Sequence, residues 1–216
     1  MKSVSFIFLF FALASLTVVL GQERPAQPAV TGGVITLYAA DPIGQSLCFK
    51  DNAYGLVIQE NQVRNRCSDI NFNGYLKNGL STGVEGSRQG KIVDLGTADE
   101  LKKKYGYEET VGQGQGFASI TVMDGRPSIL KDRRAGTLQD LDEATTLLDT
   151  PANSASAPIK LNHIYLVRVS DSSDKFYEQL AKIVVLSFVP DQSVTIRWEQ
   201  VARQKSSSVA ALKDER

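Results

Sequence analysis

The sequence has no surplus of charge of either sign. Its 216 residues include 24 lysines and arginines and 24 aspartates and glutamates, so the formal net charge at pH 7 is +0. The lack of a basic surplus argues against nucleic-acid binding through a charged face, because such binding needs many cations to neutralise phosphates. The content of 42% hydrophobic and 22% charged residues is ordinary for a globular protein and argues against a disordered or fibrous chain.

Long apolar runs are missing after the N-terminus. Residues 1–21, MKSVSFIFLFFALASLTVVLG, place Lys2 before an almost wholly apolar stretch that ends in the small residues Val19 and Gly21. This pattern is typical of a cleavable secretory signal peptide, and a retained membrane anchor is the alternative. We therefore expect a secreted, periplasmic or cell-surface protein that does not span the membrane once the signal is removed. The polar, proline-containing residues 22–33 predict a flexible linker.

Cysteine is scarce, with Cys48 and Cys67 the only two. In an exported protein an even number of cysteines predicts a disulfide rather than free thiols. The bridge would close a loop of about twenty residues, which the chain-entropy model values at roughly 3 kcal/mol. The alternative, a thiol nucleophile, needs a free thiolate that a disulfide removes.

Histidine is scarcer still, because His163 is the only one. A zinc site would need further nitrogen or sulfur ligands, and paired cysteines leave none. A general base at His163 would need a carboxylate to orient its ring, and no neighbour in the sequence identifies that carboxylate. A structural role at the start of a strand is the alternative.

Residues 34–201 have the length of one domain, and residues 202–216 predict a loose C-terminal tail. Segments that alternate with period two, or that are rich in β-branched and aromatic residues, predict strands. These segments are VITLYA (34–39), SLCFK (46–50), YGLVIQE (54–60), RCSDINF (66–72), KIVDL (91–95), FASITVM (117–123), PSILK (127–131), HIYLVRVSD (163–171), AKIVVLSFV (181–189) and SVTIRWEQV (193–201). The last three, with a proline-led turn at Pro190–Ser193, predict an antiparallel meander.

Two segments predict short helices instead. TADELKKKYG offers Thr97 as N-cap, Glu100 as its capping-box partner and Gly106 beyond the C-terminal end. LQDLDEATTLLDTP (138–151) repeats leucine at helical spacing, carries acidic residues that suit a first turn, and ends at Pro151. We therefore predict a mostly β fold with two short helices, and we expect an antiparallel β-sandwich or a related all-β arrangement.

The segment that starts at Asp69 begins like a calcium-binding loop. Asp69, Asn71 and Asn73 fit the D-x-N-x-N-G opening of an EF-hand site. However, Leu80 occupies the twelfth position, where a bidentate carboxylate is needed, and Lys77 occupies the ninth. The local spacing therefore does not predict a metal site.

A β-hairpin explains the same residues better. Asn73 and Gly74 are the favoured pair for a two-residue type I′ turn, in which both residues have positive φ. We therefore predict that the strand turns at this pair and returns through Tyr75 and Leu76.

Other segments suggest sites less directly. The glycine-rich residues 111–120 lack the features of a phosphate-binding loop and predict a flexible loop that enters a strand. The glycine-rich residues 79–90 predict a second loop that could form a mobile rim of a ligand site. Asp171 and Asp174 fit either a turn or a cation site, and we expect the turn. Trp198 shares its alternation with apolar neighbours, so we expect it in the core.

Two parts of the chain resemble HmuY-type secreted β-proteins. The stretch YGLVIQENQVRNRCSDINFNGYLKNGLSTGVEGSRQGKIVDLG (54–96) resembles the region in which a D-I-x-F strand leads into a stretch rich in asparagine and glycine. The stretch HIYLVRVSDSSDKFYEQLAKIVVLSFVPDQSVTIRW (163–198) is similar to the closing meander of that family, with Lys182 leading one strand. The resemblance implies an exported, HmuY-like all-β fold with two short helices.

The resemblance also bears on haem binding. The usual tryptophan before the D-I-x-F strand is replaced by Ser68, and the two histidines that hold haem in the founding member are reduced to His163. Met123, the only methionine after the predicted signal peptide, could pair with His163 as an axial ligand. Tyr75 is a further candidate ligand-binding residue.

We therefore expect an exported, non-enzymatic β-domain that binds a ligand or serves as a structural module in the cell envelope or outside the cell. The first alternative is a haem-binding protein that uses His163. The second alternative is an extracellular hydrolase that uses scattered carboxylates, namely Asp69, Asp171 and Asp174. No cofactor other than haem is indicated.

Overall fold

The computed structural model describes residues 32–39, 45–49, 54–56, 68–74, 76–84, 88–106, 117–123, 126–132, 137–149, 155–201 and 203–204. The predicted signal peptide, most of the predicted linker, and the candidate residues Cys67 and Tyr75 lie outside these ranges. In the part of the chain that is described, no helix is both long and apolar enough to cross a membrane.

The described chain consists mostly of strands, as predicted. The strands are β1 (Gly32–Tyr38), β2 (Gln45–Leu47), β3 (Tyr54–Leu56), β4 (Ile70–Phe72), β5 (Gly79–Thr82), β6 (Arg88–Thr97), β7 (Ile120–Met123), β8 (Arg126–Asp132), β9 (Thr137–Asp140), β10 (Ser156–Pro158), β11 (His163–Asp171), β12 (Glu178–Val189), β13 (Ser193–Gln200) and β14 (Arg203–Gln204). The helices are α1 (Ala98–Tyr105) and α2 (Asp142–Asp149).

The strands form three sheets. The central sheet has the order β1-β13-β12-β11-β6, and all its neighbours are antiparallel. The predicted meander of β11, β12 and β13 is therefore confirmed. A second sheet has the order β10-β5-β4-β2-β3 and is also antiparallel. A third sheet, β14-β7-β8-β9, has one parallel pair, between β14 and β7.

Strand β11, an inner strand of the central sheet, is buried on both faces over most of its length, because its alternate side chains enter two separate cores. On β11, Tyr165 and Val167 belong to the core shared with the second sheet, which also contains Phe49, Phe72 and Trp198. The intervening residues of β11 belong to the other core, formed with the two helices and the third sheet. The antiparallel sandwich expected from the sequence is thus confirmed, and its central sheet carries a further layer on its outer face.

Helix α1 has the predicted boundaries and caps. The Thr97 side chain accepts a hydrogen bond from the Glu100 amide, and the Glu100 carboxylate accepts one from the Thr97 amide. Gly106 ends the helix in the left-handed conformation with φ 66°. Each end of this short helix therefore has the partners that unpaired backbone groups require.

Helix α2 is shorter than predicted. Residues at the start of the predicted helix, including Leu138, form strand β9, which pairs with β8, and the helix begins only at Asp142. The Ser128 hydroxyl donates to Asp140 Oδ1 at 2.8 Å and holds the end of β9 against β8. Leucine spacing alone did not reveal this boundary, because Leu141, which lies between β9 and α2, is buried and continues the helical spacing of the leucines.

Three loop predictions were wrong. Within residues 79–90, all four residues of β5 are buried, and Arg88 to Gly90 begin β6 rather than a mobile rim. The glycines serve close packing here, because a Cβ on Gly83 would lie 2.6 Å from the Gly90 nitrogen. The small residues of TPANSASAP (150–158) predict a loop, but β10 lies within them and pairs with β5. β14 lies in the predicted C-terminal tail.

The first strand begins two residues earlier than predicted, inside the expected linker. Gly32 and Gly33 pair with Glu199 and Trp198 of β13. A Cβ on Gly32 would lie 2.6 Å from the Trp198 carbonyl oxygen, so only glycine allows this approach.

Candidate functional site

A bulge in β6 brings an acidic side chain to the only histidine. β6 and β11 pair with Ile164 opposite Gly96 and Tyr165 opposite Asp94, so Leu95 is an extra residue on β6. Gly96 has φ 88°, and its amide donates to Asp94 Oδ1 at 2.9 Å. Such a bulge redirects the side chains on either side of it.

The Asp94 carboxylate accepts hydrogen bonds from the side chains of His163 and Lys160. Its Oδ1 lies 2.8 Å from His163 Nδ1, and its Oδ2 lies 2.9 Å from Lys160 Nζ. Burial raises the pKa of the Asp94 carboxyl, but the hydrogen bonds from His163, Lys160 and the Gly96 amide outweigh burial and leave the pKa below its ordinary value. Asp94 is therefore ionised at neutral pH, and Nδ1 of His163 carries the proton that it donates to this carboxylate.

Tyr165 positions the loop that carries Lys160. Its hydroxyl donates to the Pro158 carbonyl at 2.8 Å and accepts from the Lys160 amide at 3.0 Å. Burial raises the pKa of Tyr165 to about 12. The phenol therefore stays protonated over the physiological range, and both of its hydrogen bonds persist.

His163 and Asp94 line a cleft of about 280 Å³ between β6, α1 and α2. Its lining is mixed: Val93, Leu95, Leu101, Tyr105, Ala144 and Leu147 are apolar or aromatic, and Glu100, Lys104, Glu143 and Lys160 are charged. An ion pair between Lys104 of α1 and Glu143 of α2 joins the two helices at the rim. Two sides of the cleft are formed by α1 and α2, which the sequence predicted. The third side is formed by the bulge in β6, which the sequence did not predict.

The charged groups of the cleft already have counter-ions or capping roles. Lys160 pairs with Asp94, Lys104 pairs with Glu143, and Glu100 caps α1. In the neutral ring, Nδ1 donates to Asp94, and Nε2 of His163 keeps a lone pair that can accept a hydrogen bond from a ligand. The cleft therefore suits a neutral hydrogen-bond donor better than a charged ligand.

A second cleft of about 380 Å³ lies near Phe117, Val184, Leu186 and Arg197. Lys182 is almost fully buried beside it, with its Nζ 2.7 Å from the Ala118 carbonyl and 3.0 Å from Glu199 Oε2. Burial lowers the pKa of Lys182, and the charge of Glu199 partly restores it. This ion pair is a structural element of the outer core.

The structure does not place Met123 with His163. Met123 ends β7 in the third sheet, opposite Arg126 and Gln204, and is not among the residues that line the His163 cleft. The other candidate ligand-binding residue, Tyr75, lies outside the described residues. Of the two candidates within the described residues, His163 lines the cleft and Met123 does not.

The segment that begins like a calcium loop forms a hairpin, but not with the predicted turn. β4 and β5 are antiparallel and pair Phe72 with Leu80, so the connection spans 73–78. Asn73 has φ 60° as predicted, but Gly74 has no positive φ, whereas Asn78 does. The Asn78 amide donates to Asn73 Oδ1 at 2.6 Å, and this side-chain bond closes the longer loop.

The three candidate calcium ligands have structural roles. Asp69 is fully buried and accepts hydrogen bonds from the Phe49 amide and the Tyr177 hydroxyl. Asn71 is buried in β4, and Asn73 closes the hairpin loop. Across the described ranges, no group of three or more His, Cys, Asp and Glu side chains could hold a metal ion.

The remaining candidate residues lie apart from the cleft. Asp171 faces Arg88 at 3.7 Å, and Arg88 stacks on the Tyr177 ring at 3.4 Å. Asp174 accepts from the Phe176 amide at 3.0 Å, which agrees with the predicted turn. Trp198 is fully buried in the core, as predicted.

Cys48 is fully buried beside the end of β2, whereas Cys67 lies outside the described residues. The Asp69 amide donates to the Leu47 carbonyl at 3.0 Å, and the Phe49 amide donates to Asp69. These bonds hold the residues that follow Cys67 against both neighbours of Cys48. They support the disulfide, which stays a prediction.

Sequence reasoning missed Asp94, the partner that orients His163. The signal was present in Asp94-Leu95-Gly96, because an acidic residue two positions before a glycine fits a local turn in which the side chain binds the backbone. Comparisons of this chain with protein-family models, curated proteins and solved structures found no match. The resemblance to HmuY-type proteins therefore stays a prediction.

Proposed function

We propose that this protein is an exported, non-enzymatic β-domain that binds a small neutral ligand in the His163 cleft. The observation that carries the proposal is the 2.8 Å contact between His163 Nδ1 and Asp94 Oδ1. This contact selects the tautomer in which Nε2 has the lone pair, and it holds the ring in one orientation. A histidine prepared in this way can anchor a ligand without losing side-chain freedom on binding.

The size and chemistry of the cleft support a small ligand. Its volume of about 280 Å³ lies just below the usual range of ligand pockets, which is roughly 300–1,000 Å³. Because Lys104 and Lys160 already have carboxylate partners, an anionic ligand would have to displace Glu143 or Asp94. A neutral molecule with one O–H or N–H donor and an apolar body fits the lining without that cost.

A titration with phenol against anisole tests this proposal. Both molecules are small, neutral and aromatic, but only phenol can donate a hydrogen bond to His163 Nε2. We expect phenol to shift the NMR signals of the His163 ring and of nearby amides such as those of Leu95 and Gly96, and anisole to shift them much less. The His163→Ala variant should lose the difference between the two probes.

Two results would contradict the proposal. Equal shifts with phenol and anisole would mean that Nε2 accepts no hydrogen bond from a ligand. Phenol binding that persists unchanged in His163→Ala would place the binding site elsewhere. Thr36→Ala, on the first strand and outside the cleft lining, is the matched control and should behave like the parent protein.

Haem binding through His163 is the second candidate, and the same contact favours it. Histidines that bind metals usually donate their other ring N–H to a carboxylate or carbonyl, as His163 does to Asp94. Haem brings four ring nitrogens of its own, so one protein ligand is enough to anchor it. A porphyrin would lie partly outside a cleft of this volume.

A haem titration followed by absorbance distinguishes the two candidates. If His163 is the axial ligand, the Soret band should shift with one-to-one saturation, and His163→Ala should abolish the shift. Met123→Leu should leave it unchanged, because Met123 does not line the cleft. A shift that His163→Ala retains would eliminate haem ligation by this residue.

A further inference from the structure

β1 is an edge strand of the central sheet with exposed apolar side chains. It pairs with β13 on one side, and no described strand pairs with its other side. Val34 is 63% exposed and Tyr38 is 56% exposed. Ser193 of β13 lies opposite Tyr38 on one side and opposite Val189 of β12 on the other, and Val189 is also exposed. The apolar surface therefore continues from the edge onto the outer face of the sheet.

The backbone direction of β1 follows from two hydrogen bonds at its end. The Ala39 amide points inward and donates to the Gln192 carbonyl at 2.7 Å, whereas the Tyr38 amide points outward and donates to Gln45 Oε1 at 3.2 Å. Because backbone groups of a strand alternate in direction, the amides and carbonyls of Val34 and Thr36 also point outward. Within the described residues, these groups have no partner strand.

β1 lacks the features that usually prevent edge strands from pairing. Residues 32–39 contain no charged residue and no proline, and the register with β13 has no bulge. The opposite edge of the same sheet differs, because β6 carries Lys91, Asp94 and a bulge. The two edge strands of the central sheet therefore differ. β6 carries charged residues and a bulge, whereas β1 has neither.

We propose that β1 is a self-association edge, at which the β1 strands of two copies of this chain pair antiparallel. With Ile35 on the two-fold axis, Val34 of one copy faces Thr36 of the other, and each such pair exchanges two backbone hydrogen bonds. The two central sheets then form one continuous sheet. The pairing between the two β1 strands ends before Tyr38, because the Tyr38 amide already donates its hydrogen bond to the Gln45 side chain.

A second copy suits this edge better than an unrelated strand for two reasons. Antiparallel pairing is self-complementary, so one strand supplies all the donors and acceptors that a closed dimer needs. The edge is uncharged and the formal net charge of the chain is +0, so neither local nor overall repulsion opposes the approach of an identical molecule.

The Val34→Pro variant tests the proposal. Proline removes the outward amide of Val34 but leaves the bonds between β1 and β13 in place, and edge strands tolerate it. Val34→Ala is the matched control, because it keeps the amide and shortens the side chain. Sedimentation velocity of the purified, exported chain should show a dimer for the parent and for Val34→Ala, and Val34→Pro should weaken association by at least about tenfold.

A second variant and a local measurement cover the case in which Val34→Pro fails to fold. Val34→Lys keeps the amide and should weaken the dimer because two lysines approach across the axis. Hydrogen exchange at the amides of Val34 and Thr36 should slow as the parent protein is concentrated. A parent chain that stays monomeric up to about 100 μM would overturn the proposal, and so would a folded Val34→Pro variant that dimerises like the parent.

Discussion

The hydroxyl of Tyr177 lies 2.8 Å from Oδ1 and 2.9 Å from Oδ2 of Asp69. Tyr177 immediately precedes β12 of the central sheet, and Asp69 immediately precedes β4 of the second sheet. Asp69 Oδ2 also accepts from the Phe49 amide at 2.8 Å, and the Thr82 hydroxyl donates to the Asp69 carbonyl. This contact therefore ties the two sheets together through a fully buried carboxylate.

Loss of the Tyr177 hydroxyl should destabilise the protein. In Tyr177→Phe, the buried Asp69 loses a donor, and leaving a buried acceptor without its partner costs about 1–3 kcal/mol. Urea unfolding monitored by circular dichroism should show a lower midpoint with an unchanged slope. Tyr38→Phe is the control, because Tyr38 is exposed and should leave the midpoint unchanged. Equal stability of Tyr177→Phe and the parent would mean that this hydrogen bond contributes nothing.

Stability should fall at alkaline pH. Burial raises the pKa of Tyr165 to about 12, and burial together with the charge of Asp69 raises the pKa of Tyr177 further. A raised pKa contributes stability that is present below the unfolded value of about 10 and is lost as pH rises through the folded value. We expect the urea midpoint to decrease above about pH 10, and less steeply in Tyr165→Phe. A midpoint that stays constant there would contradict the prediction.

Stability should also fall at acid pH, through Asp94. Its folded pKa is below the ordinary value, so its contribution is present above about pH 4 and is lost as pH falls through the folded value. Asp94→Asn should be less stable than the parent at neutral pH and should lose less stability on acidification. Tyr38→Phe, at an exposed position on β1, is the control and should follow the parent curve in this acidic range. Parallel curves for Asp94→Asn and the parent would exclude Asp94 as a source of acid sensitivity.

The predicted disulfide between Cys48 and Cys67 can be measured directly. Under denaturing conditions, alkylation should add no mass before reduction and two alkyl groups after it. Reduction should cost roughly 3 kcal/mol of unfolding free energy, according to the loop-closure model. Alkylation without a reductant would show free thiols and contradict the prediction.

Local sequence patterns predicted most of the fold. The meander of β11, β12 and β13 follows from side-chain alternation, and α1 follows from the capping residues Thr97, Glu100 and Gly106. The errors fall where local pattern is ambiguous. Leucines at 138–148 suit either a helix or a strand, and glycines at 79–90 suit either a loop or closely packed backbones. Pairing with β8, β4 and β10 decided those cases.

The candidate site could be predicted only in part. His163 was identifiable because it is the only histidine, and its scarcity limits what chemistry the chain can perform. Asp94 was not identifiable, because a bulge at Leu95 sets its direction and a bulge depends on the register of two strands. The same dependence explains why Met123 could not be excluded from the cleft in advance.

The sequence by itself determined the strand-rich class, the capped helix α1 and the small set of residues available for chemistry. These properties depend on neighbours within a few positions, where alternation and capping act. Only the tertiary structure decided that Asp94 meets His163 across 69 positions and that Tyr177 meets Asp69 across 108. Such contacts depend on strand order and register, which are set by the burial of whole faces rather than by any local segment.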